Sequence, residues 1–202
     1  MAAETLRVGV YPNPPKIFQN AAGSADGFFP QVLNAVAAAE GWQLQYQSCD
    51  WQQCLEQIEK GRLDLLPDVA WSPERAARYR FNSEPVLLGW SEVYTRPGLS
   101  LQRITELQGL RVAVLAGSQQ WQDLAQLNQQ YHLQMERLPV AQLSAAFEAL
   151  EQQQADAAVV NQWFGQAQHP YFAVNSTPLA ALSGPAAADC LTKAAPDSAG
   201  PF

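Results

Sequence analysis

An arginine in the first turn of a helix is chemically awkward, and the segment SPERAARYR (72–80) places one there. Ser72 is a good N-cap, Pro73 suits the first helical position, and Glu74 sets an acid beside the positive end of the helix dipole. Arg75 then adds a permanent cation at that same end. One reading is a solvated surface charge, which costs only ~0.3–1 kcal/mol. The other is a guanidinium placed to take an anion. A second anion-seeking feature lies in LAGSQQ (115–120), where Gly117 and Ser118 open a helix whose first N–H groups suit an anion. An arginine fork and a helix N-terminus acting together would make a carboxylate site.

Other chemistry is poorly supplied. The chain has 2 histidines and 3 cysteines in 202 residues. Glu74, Asp68 and His169 are the residues that could serve as acid or base. There is no G-x-S-x-G elbow, no phosphate loop and no metal-ligand spacing, so catalysis and a metal cofactor are not expected. In SCDWQQCLEQIEKG (48–61) Asp50 reads as an N-cap with Gln53 at the third helical position. Cys49 and Cys54 then occupy the two positions that touch in a hydrophobic staple. A disulfide, a reduced staple and a pair of metal ligands are all open. The disulfide is expected and points to an oxidising compartment, with Cys190 left unpaired.

The net charge of −7 without a basic cluster argues against nucleic acid, and no apolar run approaches a membrane span. The start, MAAETLRVGV, enters a strand-like run with no leader, which fits a cytosolic protein or one whose export signal has been removed. At 48% hydrophobic the chain can bury a sizeable core.

The elements that must position these residues alternate throughout. Strands are predicted at 6–11, 43–47, 63–70, 111–117, 133–139 and 156–161, with 85–96 long and extended. Helices are predicted at 28–42, 51–61, from Ser72, at 118–131 and at 141–154. This is the pattern of a parallel-sheet α/β protein. CLEQIEKGRLDLLPDVA and AFEALEQQQADAAVVNQ repeat one plan, helix, polar break, Asp, apolar strand, on either side of 85–96. Two similar α/β lobes are therefore expected, with crossovers near 91–96 and 172–178 and a ligand cleft at the carboxyl ends of their strands.

GFFPQVLNAVAAAEGWQLQY, DWQQCLEQIEKGRLDLLPDVAWSPERAARYRFNSEPV, LQGLRVAVLAGS and ADAAVVN together resemble the type II periplasmic solute-binding fold, family 3 (amino-acid-type) binding proteins. With SEVY and VVNQWFG, the wording is most similar to extracytoplasmic sensor domains of bacterial histidine kinases and diguanylate cyclases. The resemblance spans roughly 6–175 and implies a two-lobed Venus-flytrap, lobe 1 at 1–92, lobe 2 at 93–174 and a return to lobe 1 at 175–202. That last stretch is Ala/Pro-rich and reads as truncated or divergent.

Carried over, the family's carboxylate-binding arginine falls on Arg75, its second-lobe anion cradle on Ser118 and Gln119, and the aromatic that stacks on the ligand on Trp51. A first-strand contact falls on Tyr11, and further contacts on Asp68 and Ala70. The acid that holds an α-amino group falls on Asn161, where only a neutral hydrogen bond is available. Asp68 is the alternative holder. The resemblance implies a periplasmic, non-catalytic domain without cofactor that closes on an amino acid or small organic acid. Its partner is a membrane-anchored signalling domain or, if it is the free receptor of an ABC uptake transporter, a permease. A dehydratase-like enzyme or a pure interaction module is the remaining alternative.

Overall fold

The computed structural model describes residues 4–180 and the backbone of 186–193. The chain divides into two compact units, Met1–Leu88 with Ala187–Phe202, and Gly89–Ala186. No helix among the described residues is long and apolar enough to cross a membrane.

In the first unit, β1 (Thr5–Val10) leads through the small strands β2 (Phe18–Gln19) and β3 (Ala25–Asp26) into helix α1 (Phe28–Glu40). β4 (Gln43–Ser48), α2 (Trp51–Glu59), β5 (Leu66–Ala70), α3 (Pro73–Ala76), β6 (Tyr79–Phe81) and β7 (Leu87–Gly89) follow. β1 pairs in parallel with β4 and bridges in parallel to Leu65 just before β5. The carboxyl ends of these runs therefore share one edge. Gly9 lets α2 and the 63–66 segment approach β1, since a Cβ there would stand 2.8 Å from both Leu63 and Leu66 side chains. Val8, Val10, Ile17, Phe29, Ile58, Leu63, Leu66 and Val69 form the buried interior of this unit.

The second unit holds β8 (Ser91–Thr95), β9 (Arg111–Leu115), α4 (Gln119–Tyr131), β10 (Glu136–Val140), α5 (Leu143–Glu151), β11 (Ala157–Asn161), α6 (Gln162–Gln168) and β12 (Asn175–Ala180). One five-stranded sheet runs β10-β9-β11-β8-β12, parallel across its first three strands and antiparallel at β8 and β12. Val93, Val112, Val114, Leu124 and Val159 pack at the centre of its core.

Several expected elements differ in detail. The extended 85–96 run breaks into β7 and β8 at Trp90, whose carbonyl turns to accept the Gln162 N–H at 2.9 Å. The strand expected at 133–139 begins at Glu136, because His132 and Gln134 take left-handed backbone angles. The segments expected as crossovers, 91–96 and 172–178, supply β8 and β12, neighbours in one sheet. The final segment, read as lacking strand periodicity beyond TPLAAL, contains β13 (Ala186–Lys193), which lies antiparallel between β5 and β6. Backbone pairing with two existing strands makes it a strand where side-chain alternation does not. The Cys190 side chain lies outside the described residues.

The repeated helix–Asp–strand plan has a physical counterpart. Asp64 accepts from the Arg7 backbone N–H, Nε and Nη2, at 2.8, 2.8 and 2.7 Å, while the same Nη2 reaches the Gly61 carbonyl. In the other unit Asp156 accepts from the Arg111 N–H, Nε and Nη2 at 3.1, 3.1 and 3.2 Å, and that Nη2 reaches the Gln153 carbonyl. Gly61 and Gln153 both have a positive φ, 66° and 56°. Each aspartate thus clamps the first parallel strand of its unit to the turn after a helix.

The Arg111 bonds hold Asp156 down to about 2, and those of Arg7 lower Asp64. A depressed carboxyl contributes stability that is fully present above its unfolded value near ~3.9 and is lost as pH falls through the folded value. The contribution of these two aspartates to urea unfolding midpoints is expected to be constant above pH ~5 and to fall below that. Asp156→Asn should lose on the order of 2 kcal/mol at pH 7 and show a shallower acid slope between pH 4 and pH 2. An unchanged acid slope in that variant would count against the clamp.

Candidate functional site

At the shared edge of the first unit, Tyr11 follows β1, Trp51 opens α2, and Asp68 and Ala70 close β5. Asp50 caps α2 by accepting the Gln53 N–H at 2.8 Å. Just outside that cap, Cys49 is disulfide-bonded to Cys54 one turn into the helix, with Cα atoms 5.4 Å apart. The bond pins the first turn that carries Trp51. The closed loop is short, so the chain-entropy account gives it only about 2 kcal/mol. Cys49→Ser/Cys54→Ser is expected to lower stability by that amount in urea unfolding, and a variant as stable as wild type would show that capping alone holds the turn.

Trp51 is 4% exposed. Its ring meets that of Tyr11 edge to face at 5.0 Å, and the Arg75 guanidinium carbon lies over it, 5.5 Å from the centroid. The face expected to stack on a ligand thus carries an arginine here, a favourable cation–π arrangement. The Trp51 indole N–H is buried with no acceptor among the described residues. Such a donor is costly unless something accepts from it, about 1–3 kcal/mol.

Arg75 is half-buried. Its backbone N–H donates to the Ser72 hydroxyl at 3.3 Å, as the capping pattern predicts, and its guanidinium turns back to donate to the Ala70 carbonyl at 2.8 Å. α3 has only four residues, so the opposing dipole is small. The Trp51 face and the Ala70 carbonyl are two of the partners that hold the awkward charge.

Asp68 is oriented into the unit. It accepts from the Tyr11 hydroxyl at 3.0 Å, Asn13 Nδ2 at 2.6 Å and Lys16 Nζ at 2.5 Å, with 1% of its side chain exposed. The Tyr11 hydroxyl also donates to the Asp68 carbonyl at 2.7 Å. Burial pushes the Asp68 carboxyl up against the opposing pull of the Lys16 ammonium, and burial with the Asp68 charge pushes the Tyr11 hydroxyl well up. Asp68 has φ 61°, a left-handed angle inside a strand. Sequence reading proposed it as a holder of an α-amino group; the structure shows its carboxylate enclosed by donors of its own unit.

Asn13 and Lys16 are absent from the sequence-derived site. Their signal was a lone lysine in the apolar PPKIF run and a lone acid in the apolar LLPDVA run, two isolated opposite charges.

In the second unit β9 and β11 are parallel neighbours, with Val114 opposite Val159, so the N-termini of α4 and α6 share a sheet edge. The Ser118 hydroxyl accepts the Trp121 N–H at 3.1 Å, and Asn161 Oδ1 accepts the Phe164 N–H at 3.0 Å. Gln119 Nε2 donates to the buried Asp123 at 2.8 Å. Ser118 and Asn161 are thus N-caps of their helices. Beside them, Gln162 Oε1 is buried without a donor among the described residues, a feature sequence reading did not single out. Among the described residues no group of His, Cys, Asp or Glu could hold a metal ion.

Residues 6–166 match the family of bacterial extracellular solute-binding proteins, family 3. The chain belongs to that family. This solute-binding protein is 26% identical over 97 residues to the "Probable amino-acid-binding protein YxeM" of Bacillus subtilis (strain 168). That match covers 48% of this chain and 37% of the relative, so it spans little more than a third of the relative's length. Among solved structures, "An ancestral arginine-binding protein bound to arginine" superposes with TM-score 0.84 at 22% identity, covering 96% of this chain and 86% of that one. A crystal structure of "the substrate binding protein of an amino acid ABC transporter" superposes with TM-score 0.83 at 17% identity, covering 94% and 85%. At these identities the superpositions show the fold, the two-lobed periplasmic-binding-protein architecture.

Proposed function

We propose that the protein is an extracytoplasmic receptor domain that binds a carboxylate-bearing small solute, an amino acid or small organic acid, without turning it over. The observation that carries the reading is the Arg75 guanidinium, held half-buried between the Trp51 ring and the Ala70 carbonyl, beside the buried Trp51 N–H donor. A planar fork of this kind matches a carboxylate. The first unit's candidate contacts are Tyr11, Trp51, Ala70 and Arg75; the second unit's own candidates are Ser118, Gln119 and Asn161. Relatives that bind arginine, or serve amino-acid uptake, support an amino acid as the solute. The enclosed Asp68 carboxylate makes a poor general base, which supports binding over catalysis.

The occupied state is read out by a signalling partner. The wording of the 51–85 segment, most similar to kinase and cyclase sensor domains, favours that over delivery to a permease. Uptake is the second reading, supported by the fold shared with a transport receptor. Osmotic shock of cells carrying the full-length protein separates the two: a free transport receptor is released, a membrane-anchored sensor stays with the envelope.

A thermal-shift screen with L-arginine, L-glutamine, L-cystine, acetate and succinate tests binding itself. A solute at a hundred times its Kd adds ~2.7 kcal/mol of stability and raises the unfolding temperature. No shift with any of the five would overturn the receptor reading.

A further inference from the structure

We infer that Lys16, assisted by Asn13, is a positioning residue for the Arg75 guanidinium and acts on it through Asp68; the inference rests on the reading of Arg75 as the ligand's carboxylate contact. Lys16 is itself held rigidly. Its N–H donates to the Asn13 carbonyl at 3.0 Å, and the carbonyls of Pro15 and Lys16 accept the first N–H groups of α1, from Phe28 and Phe29, at 3.2 and 2.9 Å. Gly27 permits this contact, since with φ 109° its Cβ would lie 2.7 Å from both carbonyl oxygens. The ammonium is thereby delivered, 6% of the residue exposed, to Asp68 Oδ1.

From Asp68 two legs run to Arg75. Along the backbone, the left-handed turn at Asp68 sets the course of β5 and so the place of the Ala70 carbonyl, which takes Arg75 Nη1 at 2.8 Å. A non-glycine residue in that conformation persists only where its surroundings over-determine it. The Lys16, Asn13 and Tyr11 donors do so here. Through side chains, Asp68 fixes the Tyr11 hydroxyl by two acceptors, the Tyr11 ring braces Trp51, and the Trp51 face lies under the guanidinium. Both legs end on the same cation. A buried Lys–Asp pair used only for stability would have no reason to sit at the root of both.

The test is side-chain NMR of arginine Nε–H and tryptophan indole N–H signals, with Arg75 and Trp51 assigned through Arg75→Lys and Trp51→Phe. Two variants are compared with wild type: Tyr11→Phe, and Lys16→Met/Asp68→Asn. The double replacement removes both charges, so that no charge is left buried without a partner, and keeps at position 68 a residue that tolerates a left-handed angle. The Arg75 and Trp51 signals are expected to move in both variants, while those of Arg111 and Trp121 in the other unit stay in place. Arg75 and Trp51 signals at their wild-type positions overturn the inference. Should the double variant fail to fold, Lys16→Gln/Asp68→Asn, a neutral amide pair, takes its place, and unmoved Arg75 and Trp51 signals there overturn the inference.

Calorimetry with L-arginine and L-glutamine adds the functional readout. The double variant should bind roughly three- to tenfold more weakly while its urea stability returns close to wild type, and this loss should vanish in an Arg75→Ala background. A loss that persists in that background overturns the inference. Wild-type binding by Arg75→Ala would sink the ligand reading of Arg75, and the NMR displacement would still decide how its guanidinium is positioned.

Discussion

Arg75→Ala is expected to weaken binding of the amino acid that gives the larger thermal shift, L-arginine or L-glutamine, by roughly ten- to a hundredfold. That is the loss of a charge-assisted contact of ~1.5–3 kcal/mol. The fold should survive, because the Ser72 cap accepts a backbone N–H that alanine also supplies, and alanine is a good helix former. Arg75→Lys should recover only part of the affinity. A single ammonium can reach the Ala70 carbonyl or a carboxylate, but it does not present the planar fork that meets both while its carbon stands over the Trp51 ring. Glu74→Ala is the control: Glu74 is exposed and belongs to neither the Trp51 nor the Ala70 contact, so its affinity should stay near wild type. Calorimetry on the three variants checks this, and equal affinity for wild type and Arg75→Ala would return Arg75 to a surface charge at a helix end.

Lys16→Met alone is expected to destabilise the first unit by ~3–5 kcal/mol in urea unfolding. It strands the Asp68 carboxylate, with 1% of its side chain exposed, among neutral donors. The carboxyl then escapes the cost by keeping its proton. Its folded value is already raised by burial and rises further without the ammonium, so the neutral form is the one the folded state favours. A raised group contributes stability that is present below its unfolded value and is lost as pH rises through the folded one. The deficit of Lys16→Met relative to wild type should therefore be larger at pH 7 than at pH 4. Lys16→Met/Asp68→Asn should regain most of it, because no charge is left buried without a partner. A single variant as stable as wild type at pH 7 would mean that the pair is solvated.

Much of the local architecture was legible in the chain. Ser72 before Pro73, Asp50 before Trp51 and Ser118 before Gln119 each cap the helix that their type and place predict. The Cys49–Cys54 bond follows from staple positions flanking one cap. The echo around Asp64 and Asp156 proved to be one clamp built twice, on Arg7 and on Arg111. The caps and the staple rest on a few neighbouring residues whose short-range geometry leaves few choices. Each clamp instead joins an aspartate visible in the echo to an arginine 57 or 45 positions away that the sequence did not point to.

What escaped the sequence depends on partners far along the chain. Asp68 and Lys16 stand 52 positions apart, and nothing local tells an acid that faces a ligand from one that faces a buried lysine. Only the parallel placement of β1 beside the run into β5 brings Tyr11, Asn13 and Lys16 onto that carboxylate, and with them the left-handed angle that its strand pattern hides. β13 is likewise a strand because the β5 and β6 backbones offer it hydrogen bonds, in a stretch whose own residues alternate too weakly to announce one. Caps and staples were determined by the sequence, since their energies are local; the clamps, like the Asp68 cluster, wait for a partner from another strand. The direction in which Asp68 points, and so the support beneath Arg75, was decided by the tertiary structure, because a buried charge takes its role from the partner the fold delivers.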